Sequence, residues 1–375
     1  MVLTQIFRLL ILLAALLPPV ANAHDPSAWG GMFRSRDHGL SWFPVDAGLF
    51  IGGALAVSIS PGDANHLLYA TDTRLLRSGN GGRDWVQEPG AQFAGAIFAV
   101  RFDRKSKGAV ASTSGSIFHS VDGAAWDNVL APAGAAPVRA FEFGVQKIYL
   151  AGESGVFASG DKGRTWARAS EGLPEAPVVA LAVNPTPPET VFAVVQDRVW
   201  ASSDGGKTWQ VRSDGLPQGR IESLVLDRKL WTVAADRLFA SEDNGMSWKP
   251  IGSPLPQADT SVRGIAVDAK LMQIVLATHR GVLRSVDGGK TWSQVEGNLP
   301  IHLEAGLLVR DPHDDDTLYV GFSLTPYPEI RRRAGGGANL LAQLDPVSLA
   351  GGVALLALIA VLAFMAVRWL NRARA

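Results

Sequence analysis

Short apolar runs separated by polar turns recur along most of the chain. The runs are rich in β-branched and aromatic residues, and Gly, Pro, Asn and Asp bound them. This is the pattern of strands joined by tight turns. The stretch that ends near residue 168 predicts four strands, at 139–143, 147–151, 155–158 and 165–168. The next stretch repeats the plan at 178–183, 190–194, 198–201 and 208–211.

An octet ending in tryptophan punctuates these runs. Its copies are SRDHGLSW (35–42), SGNGGRDW (78–85), SGDKGRTW (159–166), SSDGGKTW (202–209), SEDNGMSW (241–248) and SVDGGKTW (285–292), with a shortened copy, SVDGAAW, at 120–126. The terminal tryptophans are Trp42, Trp85, Trp126, Trp166, Trp209, Trp248 and Trp292, at separations of 39 to 44 residues. A repeat of about forty residues with four strands is typical of a β-propeller blade.

The ends of the array predict how the propeller closes. Only 29–34 precede the first octet, which leaves room for one strand, whereas 305–309 and 317–321 follow the last octet and predict two strands. Pairing the two ends in one composite blade would remove the free sheet edge. We therefore predict an all-β fold, a seven-bladed β-propeller with an N/C-terminal composite closing blade, plus one C-terminal transmembrane helix.

The octet is predicted to be a structural turn between the third and fourth strands. Its third position can accept hydrogen bonds from turn amides, and it holds Asp37, Asn80, Asp122, Asp161, Asp204, Asp243 and Asp287. The fifth position is mostly glycine, which adopts positive φ readily. We expect the seventh residue to bond toward the first serine. We expect the tryptophan to begin the outer strand and to pack between blades. A metal-binding loop is the alternative, but each octet usually offers one carboxylate, and Asn80 replaces it in the second octet. These are too few oxygen ligands for a metal ion, so we expect no metal.

Both ends of the chain carry apolar segments that are predicted to lie outside the propeller. Residues 1–23 have a basic start, an apolar core and an Ala-Asn-Ala end, the plan of a signal peptide; an uncleaved anchor is the alternative. Residues 347–367 contain no charge, and at about 1.5 Å per residue they span about 30 Å, a bilayer core. Arginines within 368–375 predict a cytoplasmic C-terminus.

Composition narrows the function classes. Lys plus Arg number 35 and Asp plus Glu number 35, so the balanced charge argues against a nucleic-acid partner. Cysteine is absent, which excludes disulfides and thiolate metal sites. We expect no cofactor, because no motif for one stands out.

The octet resembles the Asp-box, or bacterial neuraminidase repeat. Sialidases, sortilin-type propellers and the photosystem II stability/assembly factors carry this box. The resemblance covers nearly all of the predicted propeller and implies its fold. It implies little about function, because the box belongs to the scaffold.

Two functions from different classes fit such a propeller. A sialidase-like glycoside hydrolase needs an arginine triad and a Tyr–Glu pair, and the segment before the first octet lacks the motif that usually carries the first arginine. Tyr69, Tyr149 and Tyr319 occupy equivalent second-strand positions, so we expect them in the core, and Tyr327 lies beyond the last blade.

A protein-binding scaffold fits better, and we expect the chain not to be an enzyme. Seven arginines are predicted at the end of the propeller opposite the octets, where they could bind acidic groups: Arg74, Arg139, Arg198, Arg220, Arg237, Arg263 and Arg280. The alternative is scattered surface arginine balanced by Asp72, Asp197 and Asp236.

The resulting organisation has five parts. They are a signal peptide (1–23), a seven-bladed propeller (24–323), a flexible linker or stalk (324–346), a transmembrane helix (347–367) and a cytoplasmic basic tail (368–375). We expect a single-pass protein of the inner membrane with its propeller in the periplasm. Its expected partners are a membrane protein or complex subunit and, through the helix, the lipid bilayer.

Overall fold

The computed structural model describes residues 30–335, apart from positions 47, 90–92, 94, 105–106, 124, 187, 269 and 301. The chain divides into two units, residues 1–331 and 332–375, and the propeller belongs to the first. The predicted signal peptide and membrane span lie outside the described residues. Among the residues that are described, no helix is both long and apolar enough to cross a membrane.

Seven four-stranded antiparallel sheets form the propeller. The chain begins with β1 (Gly31–Ser35) and β2 (Phe43–Pro44). Blade 1 has β3 (Ala54–Ser60), β4 (Asp63–Thr71), β5 (Leu75–Ser78) and β6 (Val86–Gln87). Blade 2 has β7 (Ala99–Phe102), β8 (Ala109–Ser112), β9 (Ser116–Ser120) and β10 (Asp127–Leu130). Blade 3 has β11 (Ala140–Phe143), β12 (Ile148–Gly152), β13 (Gly155–Ser159) and β14 (Ala167–Arg168).

The second half repeats this plan. Blade 4 has β15 (Val178–Asn184), β16 (Thr190–Val195), β17 (Arg198–Ser202) and β18 (Gln210–Val211). Blade 5 has β19 (Leu224–Asp227), β20 (Lys229–Ala234), β21 (Arg237–Ser241) and β22 (Lys249–Ile251). Blade 6 has β23 (Val262–Asp268), β24 (Gln273–Thr278), β25 (Gly281–Ser285) and β26 (Ser293–Gln294). The chain continues with β27 (Glu304–Asp311), β28 (Asp314–Ser323) and the helix α1 (Tyr327–Gly335).

Blade 7 joins the two ends of the strand array, as predicted. Its strand order is β2-β1-β28-β27, with β1 antiparallel to β28 from Gly31 opposite Phe322 to Ser35 opposite Leu318. The inner strands contact one another in sequence, β3, β7, β11, β15, β19, β23 and β27, and β27 contacts β3. The seven sheets therefore close into a ring around an axis.

The hydrophobic core lies between the blades rather than at one centre. Each of the seven buried clusters among the described residues combines two neighbouring blades. In one of them, Phe192 and Val194 of blade 4 pack against Leu230 and Phe239 of blade 5. Both faces of the second strand of blade 4, β16, are thereby covered, which explains why Thr190–Val195 is buried along its whole length.

The octets are hydrogen-bonded turns, as the sequence predicts. In the octet of blade 4, one carboxylate oxygen of Asp204 accepts the amides of Lys207 (3.0 Å) and Thr208 (2.9 Å). The hydroxyl of Ser202 donates to this carboxylate (2.7 Å) and accepts the amide of Gly206 (2.9 Å). Gly205 and Gly206 have φ of 76° and 86°, a conformation that glycine adopts at little cost.

Two details of the octet prediction are wrong. The seventh residue bonds to the aspartate rather than toward the first serine, since the Thr208 hydroxyl donates to Asp204 at 2.7 Å. The tryptophan precedes the outer strand instead of beginning it: β18 begins at Gln210, after Trp209. This leaves the indole of Trp209 free to turn toward blade 3, where its ring nitrogen donates to the Ala169 carbonyl at 2.9 Å.

The indoles of Trp85 and Trp248 also bond to the preceding blade, at the carbonyls of Val45 and Arg212. The prediction that these tryptophans pack between blades is therefore confirmed. Trp42 and Trp166 instead donate to glycine carbonyls of their own octets. In the second octet the side-chain oxygen of Asn80 accepts the amides of Arg83 and Asp84, so an amide serves there as well as a carboxylate.

Candidate ligand-binding face at the mouth of the ring

The end of the ring opposite the octets is where the inner strands begin. We call it the top face, and we call the opening at its centre, around the first residues of the inner strands, the mouth. In an antiparallel sheet the second-to-third-strand turns lie on the same side as these starts. The structure places all seven predicted arginines on this face. Arg139, Arg220 and Arg263 lie at or just before inner strands, and Arg74, Arg198, Arg237 and Arg280 lie in or beside the turns.

The three arginines nearest the inner strands are each paired with a carboxylate. Arg139 contacts Glu153 at 3.0 Å, and the Arg263 guanidinium contacts Glu304 at 2.7 Å. Arg220 lies 3.6 Å from Glu222. Arg220 is the most open of them, with 68% of its side chain exposed against 17% for Arg263. The mouth therefore presents alternating charges rather than a uniformly positive surface.

The turn arginines are held by other groups. Arg237 donates to the Gly252 carbonyl at 3.0 Å, and Arg280 donates to the Ala258 carbonyl at 2.9 Å. Arg198 is exposed, and Arg74 is half-buried. The aspartates that adjoin these arginines in sequence mainly organise loops: Asp197 accepts the Ile221 amide, and Asp236 accepts the amides of Asp259 and Thr260. A binding role for the seven arginines stays a prediction.

Residues 324–331, the first part of the predicted flexible stalk, are instead docked on the propeller and cover the mouth. We call this segment the cap. It leaves the end of β28 with the Leu324 amide bonded to the Gly52 carbonyl at 2.7 Å. Ile330 is buried, and its side chain faces Gly53. Because Gly52 and Gly53 directly precede β3, the cap crosses from blade 7 to blade 1.

Tyr327 is the anchor of the cap. Its hydroxyl donates to the carbonyl of Ala54 at 2.8 Å and lies 3.3 Å from the carbonyl of Gly321. Its amide donates to Glu304 at 3.4 Å. The guanidinium carbon of Arg263 lies 5.1 Å from the ring centroid, a cation–π contact. Burial raises the pKa of Tyr327.

Arg331 ends the cap within the propeller unit. Its guanidinium lies over the ring of Phe98 at 5.6 Å, next to the start of β7. One terminal nitrogen, Nη1, is buried and has no hydrogen-bond partner among the described residues. Burial, followed by the nearby charge of Arg139, lowers the pKa of Arg331 to about 10. The cap thus touches the starts of inner strands in several blades.

The sequence contains little that would identify this arrangement. Tyr327 stands between two prolines outside the repeat, and its partners are distant in sequence. One signal is Gly306, a glycine within the inner strand β27. The innermost strand β27 has a register shift between Ala305 and Leu308 that places Gly306 against the Tyr327 ring.

The other tyrosines are core residues, as expected. Tyr69, Tyr149 and Tyr319 are almost completely buried. The hydroxyl of Tyr69 donates to Asp46 at 3.0 Å, and that of Tyr149 donates to Glu189 at 2.9 Å. Within the described part of the chain, no group of three or more His, Asp or Glu residues could hold a metal ion.

Similar proteins are found by structure and not by sequence. No protein-family model and no curated protein sequence match the chain. A structure of YCF48 bound to D1 peptide superposes with a TM-score of 0.57 and 17% identity, covering 73% of this chain and 93% of that one. A GH74 xyloglucanase from Xanthomonas campestris gives 0.56 and 18% identity, over 72% of this chain and 51% of that one.

The extracellular domain of the hybrid two-component system BT4673 from B. thetaiotaomicron gives a TM-score of 0.57 and 11% identity, over 73% of this chain and 38% of that one. This chain thus spans about half or less of the xyloglucanase and of BT4673. At these identities the likeness establishes the fold alone. The neighbours support the β-propeller fold, and they include a protein bound to a peptide and a xyloglucanase, two different functions on one scaffold.

Proposed function

We propose that the chain is a protein-binding propeller, a scaffold or an assembly and stability factor for a membrane complex. The observation that carries the proposal is that the mouth already holds a peptide segment, the cap, through specific side-chain contacts. The Tyr327 hydroxyl donates to a backbone carbonyl, and the Arg263 guanidinium covers the Tyr327 ring. Ile330 packs against Gly53. A surface that binds one short segment in this way is suited to bind another.

The neighbour whose structure includes a peptide supports this proposal. The superposition with YCF48 bound to D1 peptide covers 93% of that chain, so nearly all of that protein corresponds to this propeller. Its fold therefore accommodates a peptide ligand without added domains. The chemistry of the top face is consistent with a polar ligand, since Arg198 and Arg220 are exposed there. Charged groups of this kind favour encounter with an oppositely charged partner.

We further propose that the propeller faces the periplasm and is held at the inner membrane by 347–367. The apolar composition of that segment, the arginines after it and the signal-like residues 1–23 support this proposal. A tether would raise the concentration of the propeller beside membrane partners without any new contact.

Co-purification from native membranes tests the proposed function. The chain with Arg198 and Arg220 both changed to Glu is compared with wild type and with an Arg164→Glu control, whose exposed side chain lies in an octet. We expect a specific partner that is retained by the control and lost by the double variant. Absence of any specific partner from wild-type preparations would contradict the scaffold role. A partner that the double variant retains would show that Arg198 and Arg220 are not needed for binding it.

The alternative is a glycoside hydrolase, which the xyloglucanase neighbour keeps open. Asp72 is the best candidate for a general acid on the top face, because burial raises its pKa and favours the protonated form. The Tyr327 hydroxyl donates to main-chain carbonyls and its pKa is raised, the opposite of what activates a nucleophile. Hydrolysis of a fluorogenic sialoside or of xyloglucan, abolished by Asp72→Asn, would replace the binding proposal.

A further inference from the structure

The ring of Tyr327 occupies a slot built from several parts of the propeller. A Cβ added to Gly306 would lie 2.0 Å from the Cζ atom of Tyr327, far inside van der Waals contact. The register shift in β27 between Ala305 and Leu308 brings this glycine to the wall. The Arg263 guanidinium covers the ring, and Glu304 fixes that guanidinium at 2.7 Å.

The end of the slot selects a phenol. Two carbonyl oxygens, of Ala54 and Gly321, lie within reach of the Tyr327 hydroxyl. Both are acceptors, so the slot offers a partner to a hydroxyl group and none to an unsubstituted ring. A site built to hydrogen-bond a hydroxyl discriminates against the analogue that lacks it. Phenylalanine would enter the same space and lose this bond.

One buried hydrogen-bond donor of the cap has no partner among the described residues. This donor is a nitrogen of Arg331, and the like charge of Arg139 faces it. A buried donor without a partner carries a desolvation cost that is not recovered. The docked cap therefore carries the cost of an unpaired nitrogen at Arg331, beside the contact of that side chain with the Phe98 ring. A partner segment that replaces the cap has this cost in its favour.

We propose that the slot around Tyr327 is a tyrosine-binding site, occupied here by the chain's own cap, and that a tyrosine-bearing segment of a partner protein replaces the cap. The inference rests on the proposed function in taking the top face as the one that partners use. It adds the chemistry of the partner: a peptide whose tyrosine reaches the carbonyls of Ala54 and Gly321.

The first experiment uses the wild-type full-length protein and a synthetic peptide of residues 323–331, Ser-Leu-Thr-Pro-Tyr-Pro-Glu-Ile-Arg. Hydrogen exchange of the cap is measured with and without excess peptide. We expect the peptide to accelerate exchange at the Leu324 amide, which is bonded to Gly52 when the cap is docked. The matched peptide with phenylalanine in place of tyrosine is expected to be at least about tenfold less effective, the value of one lost hydrogen bond.

The second experiment measures binding of the same peptides by fluorescence anisotropy. Tyr327→Ala empties the slot, so we expect this variant to bind the tyrosine peptide at least about tenfold more tightly than wild type, in which the cap competes intramolecularly. Adding Gly306→Ala to Tyr327→Ala fills the slot from the wall and is expected to abolish the gain. Gly160→Ala, which has open space around the added methyl, is the matched control and should leave it unchanged.

Equal effects of the tyrosine and phenylalanine peptides on wild type would overturn the proposal, and so would no effect of either. This result needs no variant to fold. The two proposals also fail separately. A partner that co-purifies while the slot binds no peptide leaves the scaffold role and removes the tyrosine site, whereas peptide binding without a native partner does the reverse.

Discussion

The two ends of the propeller treat polar groups in opposite ways. At the octet end, Asp243 is exposed and Asp161 is partly exposed, and hydrogen bonds, first from the side chains of Thr165 and Ser247, lower the pKa of each to about 2. Toward the top face, burial raises the pKa of Asp46 to about 6 and also raises that of Asp72. Local donors keep these octet aspartates charged, whereas burial makes the charged forms of Asp46 and Asp72 costly.

Unpaired buried polar atoms are found at both ends of the propeller. The octet serines and aspartates bond within their own turns, copy after copy. Buried polar atoms without a partner among the described residues include top-face side chains of Asp72, Arg74, Arg237 and Arg331, and at the octet end those of His38 and Trp126. Such groups are rare and informative in folded proteins. The serine and aspartate bonds of the octets therefore stabilise the fold, and the unpaired atoms on the top face are hydrogen-bonding groups that a ligand there could meet.

Removing an octet tryptophan would break the structural end most severely. Trp209 is only 6% exposed and packs between blades 3 and 4, so Trp209→Ala is expected to lower the free energy of unfolding by about 3–5 kcal/mol. Denaturant titration measures this. Trp292, which is less buried, is the control, and Trp292→Ala should cost clearly less. Equal losses would show that the indoles do not act through burial.

Asp46 tests the top-face half of the comparison. Because its pKa is raised to about 6 in the folded state, the folded protein retains a proton that the unfolded chain has lost near pH 4. Its contribution to stability is present at low pH and falls as pH rises toward 6, by on the order of 2 kcal/mol. Asp46→Asn should flatten the dependence of unfolding free energy on pH between about 4 and 6.

The expected sign is opposite for Asp161 and Asp243, whose pKa values are about 2. Their contribution is present above about pH 4 and is lost as pH falls toward 2. Both the wild type and the Asp46→Asn variant should therefore lose stability below about pH 4. An unaltered slope between pH 4 and 6 in Asp46→Asn would assign that slope to another group.

Gly206→Ala sharpens the comparison at the level of the octet backbone. The residue has φ of 86°, and an added Cβ would lie 2.9 Å from the Cβ of Ala169 in blade 3. Left-handed backbone alone costs about 1–2 kcal/mol for a residue with a side chain, so we expect at least that loss by thermal unfolding. Gly160→Ala, with open space and no positive φ, should be neutral. A neutral Gly206→Ala would mean that the turn relaxes.

Arg220→Glu has the smallest expected effect on stability. Its side chain is 68% exposed and 3.6 Å from Glu222, and an exposed ion pair contributes about 0–1 kcal/mol. We expect a change in unfolding free energy within about 0.5 kcal/mol by denaturant titration. A large loss of unfolding free energy would show that Arg220 on the top face also stabilises the fold, and the contrast between the two ends would then be weaker.

Much of the octet end could be predicted from sequence because it repeats. The spacing of the tryptophans defines the blades, and Ser202, Asp204 and Gly206 stand at positions whose hydrogen-bonding and φ preferences are local. The errors there are local as well. Asp204 has a second oxygen for Thr208, so the first serine is not needed by the threonine, and the short outer strands begin only after Trp209.

The mouth could not be predicted in the same way. The tyrosine slot joins Tyr327 to Ala54, 273 residues away, and depends on a register shift beside Gly306. No periodicity encodes these contacts, since the cap follows the last repeat. The pairing of Arg263 with Glu304 also joins different blades, so the strand topology placed the arginine on the top face without showing its partner.

The composite blade makes the order of synthesis matter. Strand β1 begins at Gly31 and has no inner neighbour until β28, up to Phe322, has been made. Closing a loop of this length is entropically unfavourable and slow compared with forming the hairpins within a blade. The first strands must therefore wait with an open edge while six blades form behind them. A chain interrupted before Asp314 would keep two exposed sheet edges, which are templates for aggregation, so the last strand completes the fold and also protects the first.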